Sequence, residues 1–284
     1  MSWIYFNEEH LMLQKMVREF AINEIKPLAQ KIDEEGLFPS ESIKKMADLG
    51  LMGIPWDEKY GGNNMDTLSL VIAIEEIGKV CVSTAATMMA HTSLGTAPIV
   101  AFGTKEQKEK YLPDLVTGKK IGAFGLTEPN AGSDAGNTQT TAVLDENNFI
   151  INGQKAFCTN AGVADTIIIT AKLIENGVDK GISAFIIESN TAGLTIGKPE
   201  KKMGWRGSDT RSVFFENMII PKENTLGTPS KGFQQFLNTL VGGRITIGAL
   251  SLGNAQGAYQ LALNYSKERE AFGKSINKFQ GISF

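Results

Sequence analysis

The chain has 284 residues, 42% of them hydrophobic and 21% charged, and 28 Lys and Arg set against 31 Asp and Glu leave a net charge of −3. That size and balance indicate a soluble globular chain, with room for two domains or a larger one with insertions. They give no electrostatic reason to expect nucleic acid or an anionic membrane as partner. Cys81 and Cys158 lie far apart without ligand spacing, which argues against a disulfide framework or a zinc site, and no apolar run is long enough to span a bilayer. With no basic and apolar leader in "MSWIYFNEEHLMLQ", the expected location is the cytoplasm.

Residues 1–120 read as a helical domain. Asn7 is placed as an N-cap, with Phe6 and Leu11 positioned as a staple across it. Leu13, Met16, Val17, Phe20 and Glu24 follow at helical spacing, one core-facing stripe with only its last member polar. Leu70, Ile74 and Ile77 repeat that pattern. Thr104 and Gln107 have capping-box spacing, and Pro113 is expected to end that helix and begin another. His10 and His91, the only histidines, read as cap or core residues and are given no role.

Residues 121–228 change texture to short Val, Ile, Thr and Phe runs such as "TQTTAVL", "NFIING", "DTIIITAKL" and "GISAFIIE". Asp145 to Asn148 and the pair Asn152-Gly153 are expected as hairpin turns, and the whole as a small β-barrel or sandwich. From 229 to 284 helical pattern returns, with Gly248, Gly253 and Gly257 among small residues suited to close helix packing. The closing positions Ile276, Phe279, Ile282 and Phe284 read as a helix still running. The expected fold class is therefore α+β, a β-barrel domain between two helical ones.

The densest chemical signal is "FGLTEPNAGSDAGNTQT" at 124–140, a strand entering a loop of Gly, Asn, Ser and Asp whose free N–H groups suit a phosphate or an electron-rich ring edge. Neither a P-loop nor a Rossmann glycine pattern is present, and from the residues alone a plain turn is favoured. The "TEP-x-x-GSD" spacing, however, resembles the flavin loop of the acyl-CoA dehydrogenase family. "NGQKAFCTNAG", "KKMGWRGSDTRSVFFENMIIP", "GGRITIG" and "REAFGKSINKFQ" resemble that family's later segments in order, so the likeness runs along the whole chain, most closely to short-chain, butyryl-type members.

That resemblance implies FAD as cofactor and an acyl-CoA thioester as substrate. It also implies an electron-transferring flavoprotein as acceptor and a homo-oligomer, dimer or tetramer. It assigns Phe124, Leu126 and Thr127 to the flavin pyrimidine and ribityl region, and Ser133 to the region of the flavin phosphate and CoA. Thr159 falls at the reactive nitrogen edge and Phe157 at the aromatic position beside the ring, where many relatives have Trp. Arg269, Phe272 and Gln280 match residues reaching a neighbouring subunit's FAD, with Arg269 on its pyrophosphate, and Arg244 matches a CoA contact. Val241 stands where butyryl-type members carry an acid.

The implied reaction removes the α-proton and transfers the β-hydrogen as hydride, giving a 2,3-enoyl-CoA. In most relatives the base is a glutamate downstream of the "FQ" segment, so it is expected outside this chain, read as truncated at its C-terminus. The other position used in the family, directly before the arginine, is Gly243 here. Glu128 is expected to brace the flavin loop. Two other readings stay open: a non-catalytic flavin or acyl-CoA binding protein formed by loss of the C-terminal region, and an acyl-CoA oxidase.

Overall fold

The computed structural model describes residues 5–284. Helix α1 (Glu8–Phe20) starts at Asn7, whose side chain accepts from His10 N while His10 Nδ1 accepts from Asn7 N, a capping box with histidine in the third position. The same imidazole reaches Asp66, which caps a second helix, at 3.0 Å. Leu13, Val17 and Phe20 are buried as expected, but Met16 is 36% exposed and Glu24 leaves the stripe to bond Lys45. Its phase changes because Ala21–Ile25 is a π turn. Pro27 follows directly, and its missing N–H removes a helical bond there.

Next come α2 (Lys26–Glu35), α3 (Ser40–Asp48), α4 (Thr67–Gly78), α5 (Val82–Met89), α6 (Ala97–Phe102) and α7 (Lys105–Val116). A second π stretch, Ala90–Thr96, joins α5 to α6 and again precedes a proline, Pro98. Thr104 and Gln107 cap α7 reciprocally, yet Pro113 does not divide it. The proline sits on the exposed face, while Leu112, Leu115 and Val116 hold the buried face in place.

The strands are β1 (Gly122–Gly125), β2 (Thr141–Asp145), β3 (Asn148–Thr159), β4 (Thr166–Glu175), β5 (Val178–Glu188), β6 (Leu194–Pro199), β7 (Thr210–Pro221) and β8 (Thr225–Leu226). They form one eight-stranded sheet in the order β6-β7-β3-β2-β4-β5-β8, with β1 beside β4. This corrects the expected barrel: β6 and β8 end the path, so the sheet is open. One face packs Ile151, Ile167, Ile169, Phe185 and Phe215 together, and the other sets Ile168, Ala184 and Ile186 against Leu112, Leu115 and Phe236 of the helices. Helices bury this second face, while the first is buried among the strands themselves.

The turn at 145–148 joins β2 to β3 as expected. Asn152-Gly153 is not a turn; it lies inside β3 at a register shift against β7. The Asn-Gly hairpin is Asn176-Gly177 between β4 and β5, with φ of 51° and 73°.

Helix α8 (Gly232–Glu268) spans 37 residues and packs along α4. A Cβ on Gly253 would fall 2.4 Å from the Glu75 carbonyl oxygen, and one on Gly257 2.2 Å from that of Lys79, so glycine lets the two backbones meet. The expected run-on helix is replaced by a hairpin of β9 (Glu270–Ala271) and β10 (Lys274–Ser275), then α9 (Gln280–Ser283). Phe272 and Gly273 both take positive φ, the two-residue turn that matches strand twist.

Candidate functional site

Where β3 leaves the sheet, three steps of that strand (155–158) face two of β7 (213–211), a bulge. The extra residue turns Phe157 outward at φ 55° and 66% exposure, while Lys155 and Cys158 on either side point inward and are fully buried. A bulky side chain in the left-handed region is strained, so the surrounding contacts must hold it there. Thr127 O accepts from Ala156 N at 2.7 Å, joining the loop after β1 to this bulge.

Between these two walls and the helices lies a cavity lined by Ala90, Leu94, Phe124, Leu126, Thr127, Ala156, Phe157, Thr159 and Leu240. Phe124 closes its back by stacking on Phe236 of α8 at 4.1 Å. Ala90 and Leu94 come from the π stretch. Among the described residues the hydroxyls of Thr127 and Thr159 have no hydrogen-bond partner, so an apolar slot carries two free donor groups on its wall.

Behind the slot, Glu128 and Lys155 form a buried ion pair at 2.7 Å. Glu128 also accepts from Gln139 N at 2.6 Å, Thr140 N at 3.1 Å and the Thr138 hydroxyl, pinning residues 138–140. Burial pulls this carboxyl upward, but hydrogen bonds from Lys155 and Thr138 outweigh it and hold it at about 2. Burial pulls the Lys155 ammonium down against Glu128. Cys158, its thiol pushed up to about 12 by burial, donates to Phe124 O and is inert as a nucleophile.

Five of the residues singled out in the sequence, Phe124, Leu126, Thr127, Phe157 and Thr159, therefore meet in one cavity. Ser133 is exposed on the loop beyond Glu128. Arg244 is exposed on α8, one turn past Leu240, on the same helix face. Arg269, Phe272 and Gln280 lie past the end of α8, all exposed, and none lines the cavity. Lys155 was not singled out; its only sequence signal is a charge at the inward phase of an apolar strand. Leu94 and Leu240 were missed because helical neighbours across a cleft leave no sequence spacing.

A second cavity of 530 Å³ lies on the other side of the contact between the π stretch and α8, lined mainly by Trp56, Met65, Leu70, Ala97, Val100 and Thr246. Ser93 and Thr246 bond at 3.1 Å between the two. The described residues contain no group of three or more His, Cys, Asp or Glu able to hold a metal, and no helix is long and apolar enough to cross a membrane.

Family models for the acyl-CoA dehydrogenase N-terminal, middle and C-terminal domains match residues 7–119, 123–218 and 230–284. The chain is 52% identical to the short-chain specific acyl-CoA dehydrogenase of Clostridium acetobutylicum, over 97% of its own length and 73% of that protein's. It superposes on butyryl-CoA dehydrogenase from Megasphaera elsdenii with a TM-score of 0.93 at 42% identity, covering 100% of this chain and 75% of that one. It also superposes on an acyl-CoA dehydrogenase complexed with FAD from Bacillus anthracis, with a TM-score of 0.92 at 38% identity, covering 98% and 47%.

The chain belongs to the acyl-CoA dehydrogenase family, a class of FAD-dependent oxidoreductases acting on acyl-CoA thioesters. The cofactor is FAD, and the cavity suits its ring system. The walls are apolar, one aromatic is turned outward from the bulge, and two unpaired threonine hydroxyls on the walls could donate to ring heteroatoms.

Proposed function

We propose that the chain oxidises short-chain acyl-CoA thioesters to 2,3-enoyl-CoA, with FAD held in the cavity formed by residues 124–127 and 156–159. The observation that carries this is the meeting of Phe124, Leu126, Thr127, Phe157 and Thr159 around one slot that has unpaired hydroxyls. The chemistry FAD supplies when bound is acceptance of a hydride from the acyl β-carbon.

In this reading the loop from Phe124 to Thr127 holds the pyrimidine edge, Thr159 donates to the nitrogen edge, and Phe157 covers the ring. Leu94 and Leu240, which line the helical side of the cavity, flank the acyl group. Arg244 on the following turn binds CoA together with Ser133. Arg269, Phe272 and Gln280 are exposed, lie outside their own cavity and serve the FAD of a second subunit in a homo-oligomer, where a guanidinium can bond two phosphate oxygens. An electron-transferring flavoprotein takes the electrons onward, in the cytoplasm.

Removal of the α-proton needs a carboxylate whose pKa rises on desolvation. Among the described residues none lines the cavity, and Glu128, held at about 2 by Lys155 and its loop, is a brace rather than a base. We place the base outside residues 5–284. The test is anaerobic mixing of the FAD-loaded 284-residue protein with butyryl-CoA. Slow bleaching of the flavin, accelerated by added carboxylate, supports the reading, and bleaching at a normal rate without it overturns the placement of the base.

A further inference from the structure

Resting on the reading that this cavity holds the flavin, one buried side chain outside it touches both of its walls. Lys155 belongs to the β3 bulge, and its neighbours Ala156, Phe157 and Thr159 line one wall. The three N–H groups of its ammonium are shared among four acceptors within hydrogen-bond distance: Leu126 O at 3.3 Å on the other wall, Glu128 at 2.7 Å, the Thr138 hydroxyl at 3.0 Å and the Thr170 hydroxyl of β4 at 3.2 Å. Glu128 in turn holds the amides of Gln139 and Thr140 at the far end of the flavin loop. The side chain is packed as well as bonded: a Cβ on Gly125 would lie 3.1 Å from Lys155 Cγ, so strand β1 approaches it as closely as glycine allows.

We infer that Lys155 is a positioning residue for the flavin, fixing the spacing between the 126–127 wall and the 156–159 wall before the cofactor arrives. A buried charge does this better than an apolar contact because its bonds are directional and costly to leave unmade. Four acceptors drawn from the loop, its closing turn and the neighbouring strand constrain the ammonium from several sides. The walls are thus organised by the protein rather than by the ligand, and ring orientation follows from that spacing.

The test compares the wild-type chain with Lys155→Met and with the double variant Glu128→Gln/Lys155→Met, which leaves no unpaired buried charge. Circular dichroism establishes folding, and FAD titration and the visible spectrum of the bound flavin are the readouts. The inference expects a folded double variant to bind FAD at least about tenfold more weakly, with an altered band shape that a merely structural role would not produce. A folded double variant with wild-type affinity and spectrum overturns it. A measurement on wild-type protein covers the case in which neither variant folds. In the FAD-free chain, hydrogen exchange at the amides of Gln139, Thr140 and Ala156 is expected to be protected already, and protection appearing only on adding FAD overturns the inference. A wild-type chain that binds no FAD at all is a different failure, that of the reading of the cavity itself.

Discussion

Lys155 Nζ stands 2.7 Å from Glu128 Oε1, and neither side chain is more than 4% exposed. The pair joins a strand to a loop 27 residues earlier in the chain. Removing one partner leaves the other charged and buried. Glu128→Ala is therefore expected to cost about 3–5 kcal/mol, while the double replacement Glu128→Gln/Lys155→Met costs clearly less. Urea unfolding of the two variants against wild type checks the order, and equal losses would contradict it.

Acid should act on this fold in two windows. His91 is fully buried, accepts from Gly122 N and bonds Leu115 O, and burial lowers it to about 4. Its folded pKa lies below its unfolded value near 6.5, so the unfolded chain binds the extra proton first. Stability from this group is complete above about 6.5 and is lost as pH falls towards about 4, on the order of 3 kcal/mol in all. Glu128, depressed from 4.5 to about 2, loses its contribution only between those values. Urea midpoints taken from about pH 7 to about pH 3 in His91→Gln should lack the first decline and keep the second.

The small residues of α8 separate into two kinds. A Cβ on Gly253 would meet the Glu75 carbonyl, whereas one on Gly248 would meet nothing within 4 Å. Gly253→Ala must push α4 and α8 apart and is expected to cost about 1–3 kcal/mol. Gly248→Ala should stabilise the chain by about 0.5–1 kcal/mol through helix propensity alone. Thermal denaturation of the two single variants is sufficient to compare the signs.

Phe157 combines a left-handed backbone with an exposed ring. Asparagine tolerates that conformation far better. Phe157→Asn should therefore raise stability of the FAD-free chain by about 1 kcal/mol while weakening FAD binding. Loss of both stability and affinity would mean that the ring packs on its own protein rather than awaiting a partner.

Much of this was legible in the residues because local rules decided it. The Asn7 and Thr104 caps and the apolar alternation of the strands depend on neighbours within a few positions. What failed depended on distant partners. Pro113 stays within α7 because Leu112, Leu115 and Val116 are anchored in a core shared with β4 and β5. Asn152-Gly153 lies inside a strand because β7 pairs with both sides of it. The sheet stays open because β6 and β8 end the path, and which strands pair at those ends is decided between segments far apart in the chain. At the candidate site, resemblance to the family's motifs picked out Phe124, Leu126, Thr127, Phe157 and Thr159, yet neither Lys155 nor the helical wall of Leu94 and Leu240. Those residues join the site only through packing between segments far apart in sequence.

The most direct measurement is a fluorescence titration of FAD into the 284-residue chain and into Ala156→Trp, which fills the cavity between the two walls. A flavin held between the two walls requires saturable binding near one FAD per chain for the wild type and none, or at least about a hundredfold weakening, for a folded Ala156→Trp. Equal binding by both would contradict the placement of the flavin between Thr127 and Thr159.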